Sequence, residues 1–249
     1  MRKKLIAGNW KMYKTPEQTA LFFAHFLPLV ADYDHVEIVV CPPFVDLHTA
    51  IDAASGSNVA IGAQNVHWEK EGAFTGEISA PMLTAIGVTH VIIGHSERRQ
   101  YFNETDDTVN RKLETALEAG LTPIVCVGEV LEEREAGLTE DVCRRQCMRA
   151  FNGISARKAA KMVIAYEPVW AIGTGKTATP QMAADAHAVI RHEVSKAFGD
   201  DFAENVRILY GGSVKPENAS ALMSESEIDG ALVGGASLNP DSFTRIVKH

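Results

Sequence analysis

Short apolar runs recur along the chain at 5–10, 36–41, 59–64, 90–94, 122–127, 162–167, 206–211 and 230–234. Several are continuous rather than alternating, such as Ile38-Val39-Val40 and Val91-Ile92-Ile93. That pattern predicts strands buried on both faces, as in a parallel sheet. Between them the sequence turns helical. The clearest helix is predicted over 105–119, with Thr105 as cap, Asp106 and Asp107 in its first turn and Gly120 beyond its end. Val109, Leu113, Ala116 and Leu117 then fall on one stripe. Thr15-Pro16, Thr179-Pro180 and Asn239-Pro240 read as further helix starts, because a first-turn proline lacks an N–H that would be unpaired anyway.

Eight strands in 249 residues leave about 31 residues per strand, the size of one βα unit. No linker, charge block or low-complexity repeat interrupts the alternation. An open doubly wound sheet is the rival architecture, but its G-x-G-x-x-G turn is missing: Gly8 is followed by Asn9, Trp10 and Lys11. The expectation is therefore an α/β fold spanning 1–249 as a single domain, a (β/α)8 barrel of eight parallel strands ringed by helices.

A net charge of −8 argues against a general nucleic-acid or anionic-membrane binder, so an anionic ligand needs a local device. The apolar runs are too short for a membrane span, and the one near the N-terminus stops too soon for a signal peptide. Cys41, Cys126, Cys143 and Cys147 form no CxxC or zinc pattern and read as reduced thiols, which fits a cytoplasmic protein. The sequons at Asn103 and Asn218 then carry no meaning.

Barrel chemistry collects at the carboxyl ends of strands. The first strand ends in Asn9-Trp10-Lys11, and alternation puts Asn9 and Lys11 on one side. Lys11 is there either the solvated end of a strand or a cation in a site. Strand four runs into Gly94-His95-Ser96-Glu97-Arg98-Arg99. His95 at a helix start is either a cap or a neutral hydrogen-bond donor whose pKa the helix lowers. Strand six runs into Glu167-Pro168-Val169-Trp170-Ala171-Ile172-Gly173-Thr174-Gly175-Lys176-Thr177. A carboxylate followed by apolar residues and glycines suits a base beneath a lid, although a surface salt bridge remains open. The last segment ends like a P-loop, but Trp170 stands where that motif needs glycine. Strands seven and eight end in Gly211-Gly212-Ser213 and Gly234-Gly235-Ala236, glycine pairs that let backbone N–H groups approach an anion. His67, His187 and His192 read as structural or solvated, and Cys126 as core.

Taken in order, Asn9-Trp10-Lys11, Gly94 to Arg99, Ala165 to Gly175, Tyr210 to Ser213 and Val233-Gly234-Gly235 resemble the triosephosphate isomerase family over the whole chain. The resemblance implies a TIM barrel that interconverts dihydroxyacetone phosphate and glyceraldehyde 3-phosphate with no metal or organic cofactor, as part of glycolysis and gluconeogenesis. It implies Glu167 as base and His95 as neutral electrophile. Lys11 and Asn9 would lie beside the substrate oxygens, with Glu97 as partner of Lys11. Gly173, Ser213, Gly234 and Gly235 would grip the phosphate, and 168–177 would form the lid. By the same resemblance, the loop 65–77 is the arm of a homodimer, with Phe74 and Thr75 in contact with the partner. Its aromatics Trp68 and Phe74 sit oddly in a polar loop unless something covers them. The alternatives are another phosphate-binding barrel enzyme, such as an aldolase or synthase, and a nucleotide switch on the Gly173–Thr177 segment, which Trp170 opposes.

Overall fold

A computed structural model describes residues 2–172 and 178–249. Eight strands close on themselves in chain order, every pair parallel. They are β1 (Lys4–Asn9), β2 (Val36–Cys41), β3 (Val59–Ala63), β4 (His90–Ile93), β5 (Thr122–Val127), β6 (Val163–Tyr166), β7 (Arg207–Tyr210) and β8 (Gly230–Val233). The larger helices α1 (Pro16–Val30), α2 (Leu47–Ala54), α5 (Asp106–Glu118), α7 (Thr139–Phe151), α9 (Pro180–Phe198), α11 (Pro216–Met223) and α12 (Pro240–Val247) follow successive strands, α5 after β4. Shorter helices fill the connections: α3 (Ala80–Ala85), α4 (Ser96–Tyr101), α6 (Leu131–Glu135), α8 (Ala156–Ala159) and α10 (Asp200–Asn205). Among the described residues, no helix is long and apolar enough to cross a membrane.

The period-two alternation of the strands sorts their side chains. Leu5, Ala7, Val39, Cys41, Ile92, Ile124, Cys126, Val163, Ala165, Leu209 and Leu232 form the packed barrel interior. Ile6, Ile38, Val91, Ile93, Val125, Ile164, Tyr166 and Ile208 belong to the second core, between sheet and helices. Helix α5 shows how the stripe works: Val109, Leu113 and Ala116 are fully buried, and Thr105 caps the helix by accepting from Thr108 N. The three Thr-Pro and Asn-Pro starts also open helices at Pro16, Pro180 and Pro240.

The same parity places charge at the amino ends of the strands. Glu37 shares the inward face of β2 with Val39, and His90 that of β4 with Ile92. His90 Nε2 lies 3.1 Å from Glu37 Oε1, and Arg207 pairs with Glu37 Oε2. These partners hold the Glu37 carboxyl at about 2, the His90 hydrogen bond first. Glu37 therefore supports the fold above the ordinary carboxylate range and loses that contribution as pH falls toward 2. Asp229 accepts from Arg2 at 2.5 Å, Arg191 at 2.8 Å and Ile208 N at 2.9 Å, so this end is closed by ion pairs.

Candidate active site

The opposite end carries the residues singled out from the sequence. Strands β1, β4, β6, β7 and β8 stop one residue before Trp10, Gly94, Glu167, Gly211 and Gly234, so each of these begins a loop. Asn9 is the last residue of β1 and is buried. Lys11 does not continue the strand alternation: its φ is +53°, a left-handed conformation that costs a non-glycine residue about 1–2 kcal/mol. Asn9 Oδ1 accepts Lys11 N–H at 3.0 Å, and Gln64 Nε2 donates to Lys11 O at 2.8 Å. This pinned turn, rather than period two, aims the side chain. Lys11 Nζ meets Glu97 Oε1 at 2.5 Å, and Lys11 Cε lies 3.5 Å from where a Cβ on Gly234 would be.

The segment 94–99, which enters α4, is anchored by a residue that the sequence did not mark. Glu104, buried, accepts from Gly94 N at 2.8 Å, Arg98 Nε at 2.8 Å and Lys112 Nζ at 2.5 Å. His95 then caps α4, its Nδ1 accepting Glu97 N–H at 3.2 Å. An amide N–H can only donate, so Nδ1 keeps its lone pair and Nε2 carries the proton. Nε2 faces Glu167 Oε1 at 3.0 Å.

Glu167 is 2% exposed, and both of its oxygens are occupied. Oε2 accepts Ser96 N–H at 2.9 Å, and Oε1 accepts the Ser96 hydroxyl at 3.1 Å. Burial alone raises its pKa, but His95 and the two Ser96 donors together hold the carboxyl below its ordinary value. The expected lowering at His95 is reversed in this arrangement. Burial is the largest single influence and lowers it, but the charge and hydrogen bond of Glu167, with the Glu97 carboxylate, together turn the net direction upward. That pull lasts only while Glu167 rests on Nε2.

A cavity of about 300 Å³ brings the pieces together. Asn9, Lys11, His95, Glu167, Ser213, Gly234 and Gly235 all line it. Gly211, Gly212 and Lys215 join the lining. Glu97 reaches the site through Lys11. Gly173 and the lid positions Thr174, Gly175, Lys176 and Thr177 lie outside the described residues. The described part of the lid begins at Pro168 and turns into a short 3-10 helix, Val169–Ala171, with Ile172 on the cavity wall. Its anchor is Glu129, fully buried, which the sequence also left unmarked. Glu129 accepts from Tyr166 OH at 3.0 Å and Trp170 Nε1 at 2.9 Å. A second cavity, about 820 Å³, opens between 96–106 and 127–133 and shares Glu167 and Ile172 with the first.

Cys126 is buried, and its thiol is pushed well above the usual range by burial and by Glu167, which keeps it unreactive. All four cysteines are free and buried. Among the described residues, no group of three His, Cys, Asp or Glu side chains is placed to hold a metal ion. Phe74 and Thr75 are both exposed.

A closed parallel barrel with a carboxylate, an imidazole and a lysine at the carboxyl ends of its strands defines a barrel enzyme. Comparison with known proteins is more specific. The family model described as triosephosphate isomerase matches residues 4–249. A protein of Solibacter usitatus named triosephosphate isomerase is 63% identical over 248 residues, covering 100% of both chains. Proteins of the same name from Carboxydothermus hydrogenoformans and Caldanaerobacter subterraneus subsp. tengcongensis are each 56% identical, covering 100% of this chain and 99% and 100% of theirs. The chain belongs to the triosephosphate isomerase family.

Proposed function

We propose that the protein interconverts dihydroxyacetone phosphate and D-glyceraldehyde 3-phosphate through an enediol(ate), by acid–base proton transfer between its own side chains. The convergence of Glu167, His95 and Lys11 on one cavity that Gly211, Gly212, Gly234 and Gly235 also line carries this reading. Glu167 removes a proton from the carbon beside the carbonyl and returns it to the neighbouring carbon. His95 donates its Nε2 proton to the carbonyl oxygen and takes one back from the neighbouring hydroxyl, while Lys11 and Asn9 stabilise the negative charge that develops on these oxygens. Ser213, Gly234 and Gly235 hold the phosphate, which spans the cavity from the reacting carbons.

Glu167 must leave Ser96 and His95 to reach a substrate carbon. Its carboxylate then loses the bonds that depress its pKa and becomes a stronger base. His95, freed of that carboxylate, keeps burial, the Glu97 N–H and the Lys11 charge on the side of neutral imidazole, against the Glu97 carboxylate alone. Phosphate binding and closure of the lid supply the free energy for this rearrangement and exclude water from the intermediate. The reading includes a homodimer, supported by exposed Met12, Val45, Phe74 and Tyr101 on the segments that follow adjacent strands.

The test is isomerisation of glyceraldehyde 3-phosphate with chelator present, by the wild type and Glu167→Gln. Rapid wild-type turnover that falls at least about 100-fold in the variant is expected for loss of a general base. A folded wild type without turnover overturns the reading.

A further inference from the structure

The backbone that carries Glu167 is itself held from outside the barrel. Glu167 N–H donates to Val127 O at 2.7 Å. The next residue, Gly128, presses so closely on the Glu167 main chain that a Cβ there would lie 1.8 Å from Glu167 O. Gly128 is therefore the floor on which the Glu167 peptide rests. Its own polar groups are met by a side chain rather than by a neighbouring strand. Gln146 on α7 accepts Gly128 N–H with Oε1 at 2.7 Å and donates from Nε2 to Gly128 O at 3.2 Å. Gln146 is 6% exposed, and Cys143, Cys147 and Ala150 of the same helix are fully buried, so the amide is presented from a packed element.

We propose that Gln146 is a positioning residue for Glu167. It acts as a one-residue substitute for a β-partner, fixing Gly128 and through it the placement of the carboxylate over the cavity. The inference rests on the reading of Glu167 as the base. The chemistry required at position 146 is narrow, because one atom must accept and its neighbour must donate. Methionine has the length but neither group. An ionised glutamate still accepts from Gly128 N–H but turns a second acceptor on Gly128 O. A protonated glutamate restores both bonds, and burial beside a carbonyl raises the pH at which it ionises.

The experiment is steady-state kinetics on the full chain and on Gln146→Met, Gln146→Glu and Glu167→Gln, with inhibition by glycerol 3-phosphate as an unreactive phosphate monoester. Gln146→Met is expected to lower kcat about 10- to 100-fold, the cost of a misplaced reacting group. Its inhibition constant should stay within about twofold, because the phosphate wall is untouched. Gln146→Glu should match that loss at pH 8 and recover toward the wild-type rate at the same pH as the solution is taken to pH 6. A folded Gln146→Met with wild-type kcat, beside an inactive Glu167→Gln, overturns this inference alone. So does a loss in Gln146→Glu that does not change with pH. An active Glu167→Gln overturns the base assignment and this inference with it.

Discussion

Ser96 occupies both oxygens of Glu167, which gives the residue scale its sharpest test. Its N–H and hydroxyl bond the charged carboxylate and so lower the Glu167 pKa. Removing the hydroxyl in Ser96→Ala removes one of these causes, so the pKa must move up. The acid limb of kcat/KM, which reports the free enzyme, should then shift to higher pH than in the wild type. The substrate phosphate also titrates, near 6, but identically for both proteins, so their difference isolates Glu167. An unmoved limb would mean that the hydroxyl bond contributes nothing to the carboxylate's charge state. Glu167, His95 and Lys11 were legible in the sequence because each follows a strand, where barrel chemistry concentrates. Glu104, Glu129 and Gln146 were not, because each acts through side-chain bonds that no local motif marks, and for Glu129 and Gln146 the partners are also distant in sequence. Gln146, for example, sits mid-helix, 18 positions from Gly128. Lys11 was found for an incomplete reason, since nothing in Asn9-Trp10-Lys11 announces a left-handed lysine.

Elements were legible in proportion to their length and burial. The strand runs were placed within one residue of both ends, because continuous Val and Ile stretches leave little choice of period. Helix α5 was legible to its caps, whereas α3, α6, α8 and α10, none longer than six residues, are too short to show a stripe. Closure of the barrel was not visible locally at all, since it depends on β8 finding β1. There Gly230 pairs with Leu5 at a φ of +144°, and a Cβ would lie 1.8 Å from Leu5 O. Gly230→Ala must therefore part the two strands at their first contact, and a loss above about 4 kcal/mol is expected. Thr105→Ala removes one cap on an exposed turn and should cost about 1 kcal/mol. Denaturant midpoints for the two variants separate the cases. Equal midpoints would show that the seam tolerates a side chain and that barrel closure does not depend on Gly230.

At the scale of the molecule the two ends of the barrel have different work: ion pairs seal one, and the other is left open for chemistry. The open end also carries several of the protein's exposed apolar side chains. Met12 is 93% exposed, Val45 75% and Tyr101 67%, with Phe74 at 43%. They follow β1, β2, β4 and β3, which are neighbours in the barrel, so they share one sector of the rim. Apolar groups on one sector of an otherwise acidic surface are what the proposed homodimer interface requires. The arm that bears Phe74 is braced before any partner arrives, since the His67 ring packs against Trp68 at 4.3 Å and Phe74 at 4.4 Å. A rigid arm and an apolar rim on the same chain suit an isologous pair, in which each arm covers the partner's rim. Met12 directly follows Lys11, so in the proposed dimer its burial would also steady the turn that aims the lysine. Phe74→Asp places a charge in that contact and is expected to sediment as a monomer at micromolar concentration. Its specific activity should fall on dilution well above the concentration at which the wild type loses any. A wild type that sediments as a monomer, or a Phe74→Asp variant as tightly paired as the wild type, would leave the apolar rim to some other partner.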